Sequence, residues 1–218
     1  QHSSPDTQFE TAFTDLQLHR YQQAAKRFKQ LHQSDDQYAT LYPYWGDTLM
    51  HLHRIRRALK IYQAGLRVDQ FDEKLWLKAG NAAMKADQAK LAAKYYYKGH
   101  QIDPENLTLA VKYSSFLVQV HRDHQNTRFL KPYVQNDDLD PQLLWNLATS
   151  YRRMDDQQNA SGYYHHAEAY FADDPDFLRE AGLFYREIGH FKESRKLLKE
   201  YVKLVPDDHE ILRLLNEN

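Results

Sequence analysis

Small residues recur every 34 positions along almost the whole chain of 218 residues. The first series consists of Ala12, Gly46, Gly80, Ser114, Ala148 and Gly182. A second series follows twelve residues later, with Ala24, Ala58, Ala92, Asn126, Ala160 and Ser194. A fixed period of this length indicates a repeat protein, in which each unit packs mainly on its neighbours and no single central core forms.

Large residues follow the second series at a constant distance of four positions. They are Phe28, Tyr62, Tyr96, Leu130, Tyr164 and Leu198. Alternating small and large positions are what closely packed helices require, so the pattern predicts two amphipathic helices in each repeat. Composition agrees, because seven Gly and seven Pro are few for an all-β chain.

This pattern resembles the tetratricopeptide repeat (TPR) family, through Trp76, Gly80, Ala92, Tyr96 and Pro104. The resemblance implies an all-α, right-handed TPR superhelix (α-solenoid) of six helix-turn-helix repeats plus a partial C-terminal capping helix. We expect a single array with repeats at 5–38, 39–72, 73–106, 107–140, 141–174 and 175–208 and the capping helix at 209–218. Leu212 and Leu215 would cover the last repeat, since they occupy the positions of Leu178 and Ala181.

Two places depart from this regular pattern. Phe9 and Phe13 lie on the first helix with no repeat before them, which predicts a missing neighbour or an exposed end, and the sequence begins with Gln1, so we expect a segment of a longer protein. Pro132 falls inside the second helix of the fourth repeat and should shorten or bend it. The same repeat has Asp123 and Asn126 at normally apolar positions, so we expect it to be the weakest unit.

Several segments carry a narrower resemblance, to the C-terminal half of cytoplasmic multi-TPR proteins of low-GC Gram-positive bacteria. They are TQFETAF, YATLYPYWGD, GLRVDQFDEKLW, DPENLTLA and DPQLLWNLATSYRR. This resemblance implies a cytoplasmic bacterial protein without enzymatic activity, and it brings no established partner.

Composition and motifs disfavour most other functions. The 29 Lys and Arg against 30 Asp and Glu give a net charge of -1, which predicts no binding to nucleic acid or to an anionic membrane. No apolar run reaches the roughly 18 residues of a membrane span. The sequence has no Cys, no glycine-rich phosphate loop, no nucleophile elbow and no HExxH motif, so we predict no enzyme and no cofactor.

Histidines come in three sequence-adjacent groups that could suggest a metal site. They are His51 with His53, His121 with His124, and His165 with His166. Neighbouring helical residues diverge by about 100 degrees, and no third ligand lies close by in sequence. We therefore favour solvated helix ends and packing over metal binding.

The TPR resemblance implies that positions 2, 6, 9 and 13 of each repeat face a concave groove. In repeats three to five these positions hold five basic residues and no acidic one: Lys74, Lys78, Asn81, Lys85, Thr108, Lys112, Ser115, Gln119, Gln142, Asn146, Thr149 and Arg153. In repeats one, two and six the same positions hold six acidic residues and no Lys or Arg: Asp6, Glu10, Phe13, Gln17, Thr40, Tyr44, Asp47, His51, Asp176, Glu180, Leu183 and Glu187.

This charge distribution predicts a protein- or peptide-binding scaffold whose groove takes an acidic, extended segment, with acidic ends that repel a wrong register. The groove residues proposed to bind are Lys74, Lys78, Asn81, Lys85, Lys112, Ser115, Gln119, Asn146, Thr149 and Arg153. A chaperone-tail carboxylate clamp is disfavoured because Leu77 stands where Lys would be needed with Asn81. A peptide-sensing regulatory module of a larger protein and an ordinary solvated face remain alternatives.

Overall fold

The computed structural model describes residues 3–136 and 139–217, which form thirteen α-helices, one short 3-10 helix and no strand. The helices are α1 (Pro5–Gln17), α2 (Tyr21–Ser34), α3 (Leu41–His51), α4 (Ile55–Val68), α5 (Glu73–Lys85), α6 (Ala89–Ile102), α7 (Leu107–Gln119), α8 (Asp123–Leu130), α9 (Pro141–Arg153), α10 (Gln157–Ala167), α11 (Pro175–Glu187), α12 (Phe191–Leu204) and α13 (His209–Asn216). The all-α prediction is confirmed. Positions 137 and 138 of the expected fourth repeat, and 218 of the expected cap, lie outside the described residues.

The chain divides into two compact units, an N-terminal unit of residues 1–113 and a C-terminal unit of residues 114–218. Consecutive helices α1 to α6 pack on one another in the N-terminal unit. In the C-terminal unit the packed pairs include α8 with α9, α9 with α10, and α11 with α12. Each unit therefore buries its apolar residues between neighbouring helices along the chain.

The predicted contact between small and large residues occurs in both units. An ideal Cβ built on Gly80 would lie 2.4 Å from Cε1 of Tyr96, and one built on Gly182 would lie 2.6 Å from Cδ2 of Leu198. Real Cβ atoms do not approach other carbons so closely, so both positions need glycine while the large partners keep their places. The repeat register deduced from the sequence thus corresponds to interlocking helix surfaces.

The turn inside each helix pair carries one residue in the left-handed region. These residues recur every 34 positions, and they are His19, His53, Asp87, His121, Asp155 and Gly189, with φ between 58° and 81°. A residue with a side chain is destabilised in this conformation because its Cβ clashes with the following carbonyl. His and Asp are among the residue types that tolerate it best. Two of the histidines singled out in the sequence, His53 and His121, therefore have a structural place in a tight turn.

The predicted effect of Pro132 is confirmed. The second helix of the fourth segment ends at Leu130, and a turn leads into a 3-10 helix over Tyr133–Gln135. Proline at 132 has no N–H to donate, and in a continued α-helix its ring would clash with the carbonyl four residues earlier, whereas it is tolerated immediately before this short helix. The proline by itself was therefore enough to predict that this helix is interrupted.

Of the two alternatives predicted for the first helix, a missing neighbour or an exposed end, exposure of its phenylalanines is wrong. Phe9 is only 9% exposed and its ring lies 6.1 Å from that of Phe28 and 5.7 Å from that of Tyr44. Phe13 is half-buried and also contacts Tyr44, at 5.0 Å between ring centroids. A helix that follows in the chain covers these rings, because α3 packs back on α1.

At the other end, α13 packs on α12 and joins the apolar core of the C-terminal unit. Its anchor is Ile211, which is fully buried, whereas Leu212 is half-buried and Leu215 packs at the edge. The contact surface of this last helix is thus centred one residue before the leucine chosen from the register.

Candidate functional site

Four of the predicted groove residues lie on α5 in the N-terminal unit: Lys74, Lys78, Asn81 and Lys85. Lys78 is engaged within the chain, since its Nζ lies 2.7 Å from Oδ2 of Asp47. Asp47 also accepts a hydrogen bond of 2.6 Å from the Tyr62 hydroxyl. Asp47, which the sequence analysis assigned to an acidic end of the groove, therefore neutralises Lys78 of the basic central part.

Asn81 is held in a similar way, because its Oδ1 accepts a 2.7 Å hydrogen bond from the Tyr96 hydroxyl. Burial raises the pKa of Tyr96 to about 12. Burial and the Asp47 carboxylate raise the pKa of Tyr62 even further. Both phenols are thus protonated donors at neutral pH, and each fixes the orientation of a polar residue on the preceding helix.

The remaining cations of the N-terminal set are open to solvent. Lys74 and Lys85 on α5 and Lys112 on α7 are exposed. Within the described ranges none of the three is within 4.0 Å of a carboxylate oxygen. These three lysines are therefore the part of the predicted set that can meet an anionic ligand without breaking an existing pair.

In the C-terminal unit, two predicted groove residues are buried and already paired. Asn146 is 4% exposed, and its Nδ2 donates to Oγ of Ser114 at 3.0 Å and to Oγ of Ser115 at 3.1 Å. Its Oδ1 accepts from Gln142, at 3.0 Å. Thr149 is 6% exposed and donates to Glu180 Oε2 at 2.7 Å. A ligand reaches these side chains only by displacing their present partners.

Asn126 explains why a polar residue can occupy a normally small apolar position. It is fully buried, its Oδ1 accepts from Ser114 Oγ at 2.7 Å, and its Nδ2 donates to Ser150 Oγ at 3.0 Å. Ser150 in turn donates to Asp123 Oδ1 at 2.9 Å. The unusual polar residues of the fourth segment therefore satisfy one another across α7, α8 and α9.

Arg153 and Gln119 complete the predicted set in this unit. The guanidinium Nη1 of Arg153 donates to the carbonyl of Val118 at 2.7 Å and lies 3.5 Å from Asp123 Oδ1. Gln119 is exposed and Ser115 is half-buried. Arg153 thus joins α7 and α9, while the side chain of Gln119 is open to solvent.

Glu180 was expected to repel a ligand from one end of the groove. Its Oε2 instead accepts three hydrogen bonds, from Trp145 Nε1 at 2.9 Å, Thr149 Oγ1 at 2.7 Å and the Tyr164 hydroxyl at 2.7 Å. Burial and this carboxylate raise the pKa of Tyr164. Glu180 is also half-buried. Donors from α9 and α10 fix its carboxylate, so it is not a freely accessible charge.

No group of three or more His, Asp or Glu residues comes together as a metal site among residues 3–136 and 139–217. None of the described helices is both long and apolar enough to cross a bilayer.

Residues 141–208 match a family described as YpiA-like, C-terminal tetratricopeptide repeats. A comparison of the sequence with curated proteins found no match. Among solved structures, YrrB, described as a TPR protein with an unusual peptide-binding site, is 18% identical with a TM-score of 0.72, over 88% of this chain and 100% of that one.

Two further structures are similar over nearly all of this chain. PilF of Pseudomonas aeruginosa is 13% identical with a TM-score of 0.73, over 98% of this chain and 97% of that one. The anaphase-promoting-complex hetero-tetramer Cut9–Hcn1 is 14% identical with a TM-score of 0.62, over 98% of this chain and 42% of that one. The chain therefore has the all-α helix-pair fold of TPR proteins.

Proposed function

We propose that this chain is a non-catalytic scaffold that binds an extended, acidic polypeptide segment on the first helices of its helix pairs. The observation that carries the proposal is a set of exposed lysines that have no carboxylate partner among residues 3–136 and 139–217: Lys74 and Lys85, on the same helix as the oriented amide of Asn81, and Lys112 on α7. Ammonium groups form charge-assisted bonds with carboxylates, and an oriented amide can pair with a peptide backbone. Lys78 contributes once its bond to Asp47 is exchanged for one to the ligand.

The C-terminal unit is considered by itself. Gln119 and Ser115 can offer hydrogen bonds to a peptide backbone there, whereas Asn146, Thr149 and Arg153 hold α7, α9 and α11 in place through their internal bonds. Support also comes from the fold, since the names of two structural relatives mention a peptide-binding site and a hetero-tetrameric complex. From the narrower sequence resemblance we also propose that the scaffold acts in the cytoplasm of a Gram-positive bacterium.

A peptide-binding measurement with a defined probe tests the proposal. The probe is a fluorescent oligo-glutamate peptide, and an oligo-glutamine peptide of equal length is the reference. Lys74→Gln combined with Lys112→Gln should weaken oligo-glutamate binding by about ten-fold at low salt. Lys90→Gln with Lys94→Gln is the matched control, because it removes the same charge from exposed positions of α6. Equal binding by both double variants would refute this assignment.

A further inference from the structure

A concentration of basic side chains lines two adjoining depressions in the N-terminal unit, here called the cationic clefts. The first, of about 300 Å³, lies between α2, α3 and the start of α4 and is lined by Lys26, Lys29, Arg54 and Arg57. The second, of about 460 Å³, is lined by Arg54, Arg56, Arg57 and Lys85. Arg54 and Arg57 border both clefts, so the two form one continuous basic surface.

These six cations have no anionic partner in the part of the chain that the structure describes, residues 3–136 and 139–217. None of them takes part in an ion pair, and Asp87 is the one carboxylate among the residues that line the two clefts. By contrast Arg27, on the same helix as Lys26 and Lys29, is bonded to Asp15 at 2.7 Å. The clefts therefore gather like charges that the fold itself leaves uncompensated, on a chain whose net charge is -1.

We propose that the cationic clefts bind an acidic segment of a partner polypeptide, with one carboxylate side chain in each cleft. Clefts of this volume accept individual side chains, and the guanidinium groups of Arg54 and Arg57 can each bind a carboxylate through two parallel N–H donors. Because both arginines border both clefts, two acidic side chains of one segment share the same pair of cations. This surface is distinct from the lysines of the proposed scaffold site, with which it shares only Lys85.

Two other polyanions fit these observations less well. Single-stranded nucleic acid binds where bases can stack on exposed aromatic rings. Among the residues that line the first cleft, Trp45 is the one aromatic residue, and it is only 6% exposed. The residues that line the second cleft include a histidine but no Phe, Tyr or Trp. A bilayer presents a broad flat surface of headgroups, whereas these exposed cations border two shallow depressions that match single side chains better.

The test compares four forms of the full chain by fluorescence anisotropy with the oligo-glutamate probe at low salt. They are the wild type, a cleft variant with Arg54→Gln and Arg57→Gln, the scaffold-site variant with Lys74→Gln and Lys112→Gln, and the control with Lys90→Gln and Lys94→Gln. The cleft variant should lose affinity by about ten-fold, and this loss should shrink as salt is raised. A fifth form, Arg54→Lys with Arg57→Lys, should lose less, since it keeps the charge but not the planar donor pair.

The outcomes separate the two proposals. Loss in the cleft variant alone supports the cationic clefts and overturns the lysine site, and loss in the scaffold-site variant alone does the reverse. Loss of affinity in the cleft variant and in the scaffold-site variant supports both surfaces. If both variants bind as tightly as the control, both proposals are overturned. Tighter wild-type binding to an oligouridine RNA or to phosphatidylserine vesicles than to oligo-glutamate, abolished in the cleft variant, would overturn the polypeptide as occupant. Circular dichroism of each variant verifies that the helices are retained.

Discussion

The ring of Tyr62 lies against the backbone of Gly46, so that an ideal Cβ at position 46 would be 2.1 Å from Cε1 of the ring. The hydroxyl of Tyr62 donates a hydrogen bond of 2.6 Å to Oδ1 of Asp47, the residue after this glycine. One missing side chain thus lets a ring from α4 lie on α3 and hold a carboxylate that also binds Lys78. Packing and the orientation of candidate site residues are coupled through this pair.

Replacing Gly46 with Ala should destabilise the chain by about 1–3 kcal/mol, because the added methyl group overlaps a buried ring. Chemical denaturation measures this change. In a Tyr62→Ala background the same substitution should cost much less, since the overlapping ring is gone. Gly162→Ala is the control: it lies on α10 with nothing within 4 Å of an added Cβ and should stabilise by about 0.5–1 kcal/mol. Equal effects at positions 46 and 162 would contradict the close contact.

The left-handed turn residues predict a second set of stability changes. His53 has φ of 58°, so His53→Gly should raise the free energy of unfolding by about 0.5–1 kcal/mol by removing the strain of a side chain there. Gly189 has φ of 81°, and Gly189→Ala should lower stability by about 1 kcal/mol. Thermal or urea unfolding of both variants checks the opposite signs. A loss of stability in His53→Gly would mean that the imidazole contributes more than its backbone strain costs.

Removing the amide of Asn126 should be costly despite the usual preference for a small residue at that position. Asn126→Ala leaves the buried hydroxyl of Ser114 without its acceptor and is expected to cost about 1–3 kcal/mol. Adding Ser114→Ala, which removes this donor as well, should recover part of the loss. Urea denaturation of the single and double variants measures the coupling. No loss in the single variant would show that the network is not stabilising the C-terminal unit.

Charge reversal at two lysines of α5 should have different effects on folding. Lys78→Glu would place two carboxylates at the site where Lys78 now binds Asp47, so we expect a loss of about 1 kcal/mol. Lys74→Glu changes an exposed lysine that has no such partner in the described part of the chain, and it should stay within about 0.5 kcal/mol of the wild type. The difference in unfolding midpoint should decrease in high salt. Identical midpoints for the two variants would show that the Asp47 pair adds nothing to stability.

Buried tyrosines predict a loss of stability in alkali. Burial raises the pKa of Tyr96 from 10.0 to about 12, and the unfolded chain therefore releases this proton at lower pH than the folded chain does. The stability associated with Tyr96 is complete below pH 10 and declines as the pH rises towards 12. Tyr96→Phe should make the decline less steep, whatever its effect at neutral pH. Urea unfolding across this pH range tests the slope, and an unchanged slope would contradict the assignment.

The repeat period, the helical class and the places where helices meet were determined by the sequence itself. Small residues such as Gly80, and the large residue that packs on each of them, recur at fixed intervals because helix geometry brings equivalent positions into equivalent contacts. The interruption at Pro132 also follows from a local property, the missing N–H. These features could be predicted because each depends on neighbours within one or two repeats.

The state of the candidate site was decided by the tertiary structure. Asp47 and Glu180 look like open charges in the sequence, yet one binds Lys78 and Tyr62 and the other accepts from three donors. The cationic clefts also went unpredicted, although the run of Arg54, Arg56 and Arg57 was visible in the sequence. Whether a charged side chain is paired depends on distances of a few ångströms between separate helices, and those distances are fixed only when the helices pack.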